Sequence, residues 1–94
     1  MATFHRTENG IGYFKITCEE LVDYSDNLFP ICDNCLESLI GCSEIILIAI
    51  LNQAYCPQCG KHTLSCCRNY PEDRPIAERR ELFYKKYFDI GGDE

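Results

Sequence analysis

The stretch "AYCPQCGKH", from Ala54 to His62, holds the second of two cysteine pairs that decide how this chain folds. The first pair lies upstream in "PICDNC", from Pro30 to Cys35. Two residues separate the cysteines of each pair, so a tight turn can direct both sulfurs to one point. Twenty residues lie between the two pairs. This is the arrangement expected for a four-thiolate zinc site, which leaves no coordination position for a catalytic water.

"CPQCGK" resembles the second knuckle of zinc-ribbon and rubredoxin-like domains, with Pro57 at the turn and Gly60 where a left-handed backbone is needed. In the first knuckle, Leu36 stands where these knuckles usually carry glycine, which suggests that this pair runs straight into a helix, as in treble-clef-like variants. The resemblance covers the chain from Pro30 to Cys66. It implies that one Zn²⁺ is bound by Cys32, Cys35, Cys56 and Cys59.

Other interpretations of the cysteines stay open at this stage. "CPQC" also resembles the "CPYC" of glutaredoxins, whose first cysteine opens a helix, but Gly60 is expected to interrupt such a helix. His62 or Cys42 is an alternative fourth ligand. The remaining cysteines are predicted to be buried thiols, with a second four-thiolate site as the alternative. These are Cys18, Cys42, Cys66 and Cys67.

Local signals predict short elements on both sides of the knuckles. Asn9-Gly10 suits a type I′ turn between strands Thr3–Glu8 and Ile11–Ile16, and Thr17 with Glu20 forms the capping box of a short helix. The helices are predicted at Cys18–Tyr24, Asp33–Ile40 and 72–90. The buried strand is predicted at Ile45–Leu51, with a return strand at Lys61–Cys66.

These elements predict a small zinc-stabilised α+β domain with an N-terminal hairpin, a zinc-ribbon or treble-clef-like core and a C-terminal helix. The whole chain, 1–94, is expected to form one domain: hairpin and short helix at 1–29, zinc-knuckle core at 30–67, and helix at 72–90. The C-terminal helix is expected to pack through an apolar stripe. That stripe consists of Ile76, Phe83, Tyr87 and Ile90.

The charge distribution bears on partners. The net charge is -6, and no Lys or Arg occurs between Ile16 and Gly60, which disfavours nucleic-acid binding by that half. The first hypothesis is therefore a non-catalytic module that binds another protein. Nucleic-acid binding by the C-terminal helix is the alternative, and a thiol oxidoreductase is a third hypothesis. The candidate partner-binding residues are Arg79, Arg80, Tyr84, Lys85, Lys86 and Phe88.

The expected location is the cytoplasm. The first twenty residues lack the features of an export signal, and cysteines in a reducing compartment survive as metal ligands rather than as disulfides. No membrane anchor is expected either, because the longest apolar run, Ile45–Leu51, falls far short of the roughly 20 residues that span a bilayer.

Overall fold

The structure, a computed structural model, describes residues 2–26, 29–42, 44–68 and 70–90. Within these ranges, four antiparallel strands form one sheet in chain order, and three helices pack around it, which confirms the α+β class. The strands are β1 (Thr3–Arg6), β2 (Gly12–Ile16), β3 (Ile45–Ile48) and β4 (Gln53–Tyr55). The helices are α1 (Cys18–Ser25), α2 (Pro57–Cys66) and α3 (Arg74–Tyr87), the last preceded by a 3-10 turn at Pro71–Asp73. None of the helices in the described ranges is long and apolar enough to cross a membrane.

The N-terminal hairpin and α1 confirm the prediction from local signals. Thr17 and Glu20 form the capping box through hydrogen bonds of 3.2 and 2.9 Å. The hairpin turn is not type I′, because that turn needs a positive φ at both central residues and Gly10 has one (+89°) while Asn9 does not. Instead Gly10 donates to the carbonyl of Thr7 and the N–H of Thr7 donates to Ile11, the pattern of a turn closed by a glycine bulge.

The predicted helix at Asp33–Ile40 is wrong. The chain forms a small hairpin there, in which Ile31 pairs with Ser38 through flanking backbone bonds. Leu36 adopts a left-handed φ of +64°, which a helix interior does not allow. Of the two leucines in this segment, Leu39 is buried and Leu36 is exposed.

The predicted return strand at Lys61–Cys66 is also wrong. β4, which precedes the second cysteine pair, is the strand that returns along β3, and α2 occupies the segment after that pair. Gly60 does not have the positive φ expected of it. It lies inside α2, where an added Cβ would come within 2.5 Å of the Cβ of Ile46. Glycine thus serves here to bring α2 close to the sheet.

The core lies between the sheet and its helices. On one face, Phe4, Phe14 and Leu47 are register neighbours on adjacent strands and are buried. Tyr84 of α3 packs edge-on against Phe14, with ring centroids 5.5 Å apart. The opposite face carries Ile46, on which α2 rests. The two sides of the sheet therefore hold α3 and α2 respectively.

The buried side of α3 differs from the predicted stripe. Ile76, Phe83 and Tyr87 are exposed, while Tyr84 and Glu81 are buried. Glu81 accepts a 2.9 Å bond from Arg6 of β1, an ion pair that brings a charged residue to the inner side of the helix. This pairing joins residues 75 positions apart, so no local pattern in the sequence predicts it.

Candidate metal centre

The structure brings the four predicted cysteines together. The sulfurs of Cys32, Cys35, Cys56 and Cys59 all lie within 4.8 Å of one another. The Sγ atoms of Cys35 and Cys56, which belong to different pairs, are 3.9 Å apart. Four sulfurs at about 2.3 Å from a tetrahedral zinc ion lie about 3.8 Å from each other. The cluster therefore fits a four-thiolate metal site after only a small contraction.

The first knuckle is shaped by its backbone. The N–H of Cys32 donates to the carbonyl of Glu37 (2.8 Å), and the N–H of Leu36 donates back to the carbonyl of Cys32 (3.0 Å). This closes a tight turn around residues 33–35. Leu36 takes the left-handed conformation that glycine usually supplies after such a pair, and this lets the chain reverse without a helix.

The two residues between the cysteines of the first pair connect the knuckle to its surroundings. Asp33 donates its N–H to the carbonyl of Ala54 (2.9 Å) and accepts the N–H of Ala54 on its carboxylate (2.8 Å). Ala54 lies in β4, two residues before Cys56. These two hydrogen bonds therefore fix the position of the first cysteine pair relative to the second. This role of Asp33 is not predicted above, and the short polar side chains between the two cysteines are the signal that could have indicated it.

The second knuckle is the start of α2. Cys56 is the N-cap residue, Pro57 fills the first turn, and the N–H of Gly60 donates to the carbonyl of Cys56 (2.8 Å). Cys59 thus lies in the first helical turn. The expectation that Gly60 would keep this pair from opening a helix is wrong.

Hydrogen-bond donors surround the sulfurs. The backbone N–H of Asn34 lies 3.4 Å from the Sγ of Cys32, and its side-chain amide donates across to the Sγ of Cys59 at 3.3 Å. The N–H of Cys59 lowers the pKa of Cys56, but burial and the sulfurs of Cys59 and Cys32 outweigh it, so that the pKa of Cys56 is raised. Donors aimed at sulfur disperse the negative charge of thiolates.

The close approach of the four sulfurs affects the thiol pKa values of Cys32 and Cys35 differently. Burial alone would raise the pKa of the Cys32 thiol, but three backbone N–H groups outweigh burial and lower that pKa from 9.0 to about 6. These groups belong to Cys35, Cys56 and Asn34. The N–H of Glu37 lowers the pKa of Cys35, yet burial and the other three sulfurs raise it to about 12. The pKa values of the two thiols of the first pair are thus shifted in opposite directions.

The other candidate ligands lie outside the cluster. Among the described residues, neither His62 nor Cys42 joins the four sulfurs within ligand distance. His62 is exposed on α2, and its Nε2 lies 3.9 Å from the Sγ of Cys66. Cys66 is exposed, which makes the prediction of a buried thiol wrong there, while Cys18, Cys42 and Cys67 are partly buried. No second group of three or more ligands occurs in the described part of the chain.

The six candidate partner-binding residues do not share one exposed side of α3. Tyr84 is buried against Phe14, and Phe88 packs against the core, so neither aromatic ring lies on the outer side of the helix. This is a correction to the candidate partner-binding set. Burial also raises the pKa of the Tyr84 hydroxyl, with its bond to Tyr24 acting in the same direction.

The four cationic side chains among the candidate partner-binding residues also lie in different surroundings. Arg80 donates to backbone carbonyls just after β3, and the Nζ of Lys85 lies 4.3 Å from the ring centroid of Phe4. Arg79 and Lys86 are exposed. A different set of exposed residues shares one side of the helix, and we call it the outer face of α3. It consists of Ile76, Arg79, Leu82, Phe83, Lys86 and Tyr87.

Comparison with known proteins gives no relative for this chain: no protein family, no curated protein and no solved structure matches it.

Proposed function

We propose that this chain is a non-catalytic module in which one Zn²⁺ stabilises the fold and whose activity is to bind another protein. Two separate turns bring four sulfurs to one point, where all four lie within 4.8 Å of one another. This observation is the main support for the proposal. The second pair begins α2, whereas the first pair closes a hairpin and not the helix expected of a treble-clef-like variant.

Zinc is the metal that best suits four thiolate donors in a tetrahedral arrangement, and such closed sites are typically structural. A domain of this size has a modest core. Zinc would cross-link the first knuckle to α2, two segments otherwise joined mainly through Asp33 and β4. Its binding energy would therefore contribute directly to folding.

Thiol catalysis is poorly supported by the same cluster. The thiol with the lowered pKa, Cys32, is fully buried, so its sulfur is closed to a substrate. The exposed thiol, Cys35, has a raised pKa, which disfavours its thiolate form. A nucleophilic cysteine needs both an ionised sulfur and access, and the two properties fall on different residues here.

Metal removal tests the structural role. Purified reduced protein should contain one zinc per chain and should lose its helical circular dichroism signal when a chelator removes the metal. Cys56→Ser should lose metal and fold together. Cys66→Ser is the matched control, because Cys66 is exposed, lies on the same helix and is outside the cluster. Full retention of structure without metal would refute the structural role.

Binding to a protein is supported by charge and by exposed apolar side chains. Four thiolates with one Zn²⁺ in place of four neutral thiols lower the formal charge from -6 to -8. Large apolar residues are exposed on the first knuckle, among them Ile31 and Leu36. Clustered exposed apolar residues are typical of protein contact surfaces. We place the module in the cytoplasm, where its thiols would stay reduced.

Nucleic-acid binding is the second candidate, and the outer face of α3 favours it. Phe83 and Tyr87 are exposed there beside Arg79 and Lys86, so rings and cations alternate on one side. A gel shift that weakens steeply with salt and disappears in an Arg79→Ala, Lys86→Ala double variant would support it. Absence of any shift at low salt would refute it.

A further inference from the structure

We infer that the outer side of the first knuckle docks a cationic, apolar segment of a partner protein. The inference rests on the proposed function, since it names the surface and the chemistry by which that binding would occur. We call this surface the knuckle face and define it by Ile31, Leu36 and Ile40, with the exposed Phe29 beside it.

The hairpin geometry of the knuckle separates inner from outer side chains. Ile31 and Ser38 are direct partners, and side chains alternate in direction along paired segments. The inward positions are buried: Cys32 and Leu39 have no exposed surface. Ile31 and Ile40 occupy outward positions and are 47% and 56% exposed. Two apolar residues thus share the outer side of one small hairpin.

Leu36 strengthens the inference because its backbone is strained and its side chain gains little from burial. Its φ of +64° is unfavourable for a residue with a branched apolar side chain, and glycine would relieve it. Its side chain is nevertheless 67% exposed and so gains little from burial within the chain. A residue that is strained and exposed contributes nothing to folding that glycine would not, which points to a contact outside the chain.

The surroundings of the knuckle face define the charge of its partner. Between Ile16 and Gly60 the sequence holds seven acidic residues and no Lys or Arg. An open groove of about 450 Å³ runs between Ile40 and α1, and its other lining residues include Glu19 and Asp23. The exposed Cys35 would add thiolate charge beside Leu36 once a metal is bound. A lysine or arginine with an apolar neighbour suits this combination.

The test is fluorescence anisotropy with zinc-loaded protein and labelled synthetic peptides. The probe is a peptide in which lysine and leucine alternate; its controls replace lysine by glutamate or leucine by serine. Leu36→Gly removes the most exposed of the three defining side chains without straining the backbone, and Glu19→Gln removes one groove charge. Leu82→Ala is the matched control, because Leu82 is also 67% exposed but lies on α3.

The inference expects the lysine–leucine peptide to bind and both controls to bind weakly. Leu36→Gly should lower the affinity about tenfold or more, which is the size of an interface hot spot, without lowering the melting temperature. Glu19→Gln should lower it less, and salt above about 0.1 M should weaken binding. Leu82→Ala should leave the affinity unchanged.

Several results would overturn the inference. Equal binding of the glutamate peptide, or no binding of the lysine peptide at low salt, removes the charge argument. Loss of binding with Leu82→Ala but not with Leu36→Gly moves the interface to α3, and the protein-binding proposal then survives. A dimer in sedimentation that disappears with Leu36→Gly assigns the face to a second copy of this chain. Protein that purifies without metal contradicts the proposed function itself, whatever the peptides show.

Discussion

Replacing Gly60 by alanine tests whether α2, and with it the second cysteine pair, is held by close packing on the sheet. A Cβ at this position would lie 2.5 Å from both the Cβ and the Cγ1 of Ile46 and 2.9 Å from its Cγ2. Ordinary contacts between carbon atoms are about 3.5–4.0 Å. Either α2 or β3 must therefore move by about 1 Å to accept the methyl group.

The magnitude follows from two opposing terms. Overpacking in a core costs about 1–3 kcal/mol, and the upper end applies because the Cβ of Ile46 cannot rotate away. Alanine in place of glycine inside a helix raises the free energy of unfolding by about 1 kcal/mol through its higher helix propensity. Gly60→Ala should therefore lower the free energy of unfolding by about 2 kcal/mol, which for a domain of this size lowers the melting temperature by roughly 8–16 °C.

The assay is thermal unfolding of reduced protein at a fixed excess of zinc, because bound metal shifts the melting temperature. Gly41→Ala is the control: Gly41 has a φ of +88°, and no atom of the described residues lies within 4 Å of an added Cβ, so the cost of this change is expected from the backbone. In an Ile46→Gly background, which removes the Cβ and both Cγ atoms that meet the added methyl group, the Gly60→Ala penalty should fall by about 1 kcal/mol. An unchanged penalty in that background, or a rise in stability, would refute the packing argument.

Three further predictions concern the knuckle and α3. Leu36→Gly should leave the free energy of unfolding unchanged or raise it by up to about 1 kcal/mol. Glycine relieves about 1–2 kcal/mol of left-handed backbone strain, and the greater entropy of glycine in the unfolded chain partly offsets this gain. A clearly lower free energy of unfolding in urea would contradict this. Asp33→Ala should lower the free energy of unfolding by about 1–3 kcal/mol, because the N–H of Ala54 loses its hydrogen-bond partner. The same variant should bind zinc more weakly in a chelator titration. Asp33→Asn should lower the free energy of unfolding less. Glu81→Gln should cost about 1–2 kcal/mol by weakening the bond to Arg6, and the difference should persist at high salt because Glu81 is buried; disappearance of the difference in salt would contradict it.

Features set by neighbouring residues could be predicted from the sequence. The capping box of Thr17 and Glu20 depends on two residues one turn apart, and α1 begins where they require. The cysteine spacing similarly predicts two turns that can converge, and the four sulfurs do come together. In both cases the physical cause lies within a few residues or in a strongly constrained donor set.

Features set by distant packing could not be predicted. Gly60 was expected in a left-handed conformation after the second pair, but contact with Ile46 explains the glycine instead. The left-handed residue is Leu36, which has the opposite propensity, because the first turn needs that conformation to close. Likewise, α3 turns Glu81 inward to meet Arg6, and this exposes Phe83. Each of these outcomes depends on a partner that the local pattern does not contain.

The central claim is that four cysteines close on one zinc ion. Zinc K-edge X-ray absorption on reduced, purified protein, together with metal analysis, tests it most directly. One zinc per chain and a first shell of four sulfurs at about 2.3 Å would support the account. A shell that needs nitrogen or oxygen in place of a sulfur, or a folded chain that holds no zinc, would contradict it.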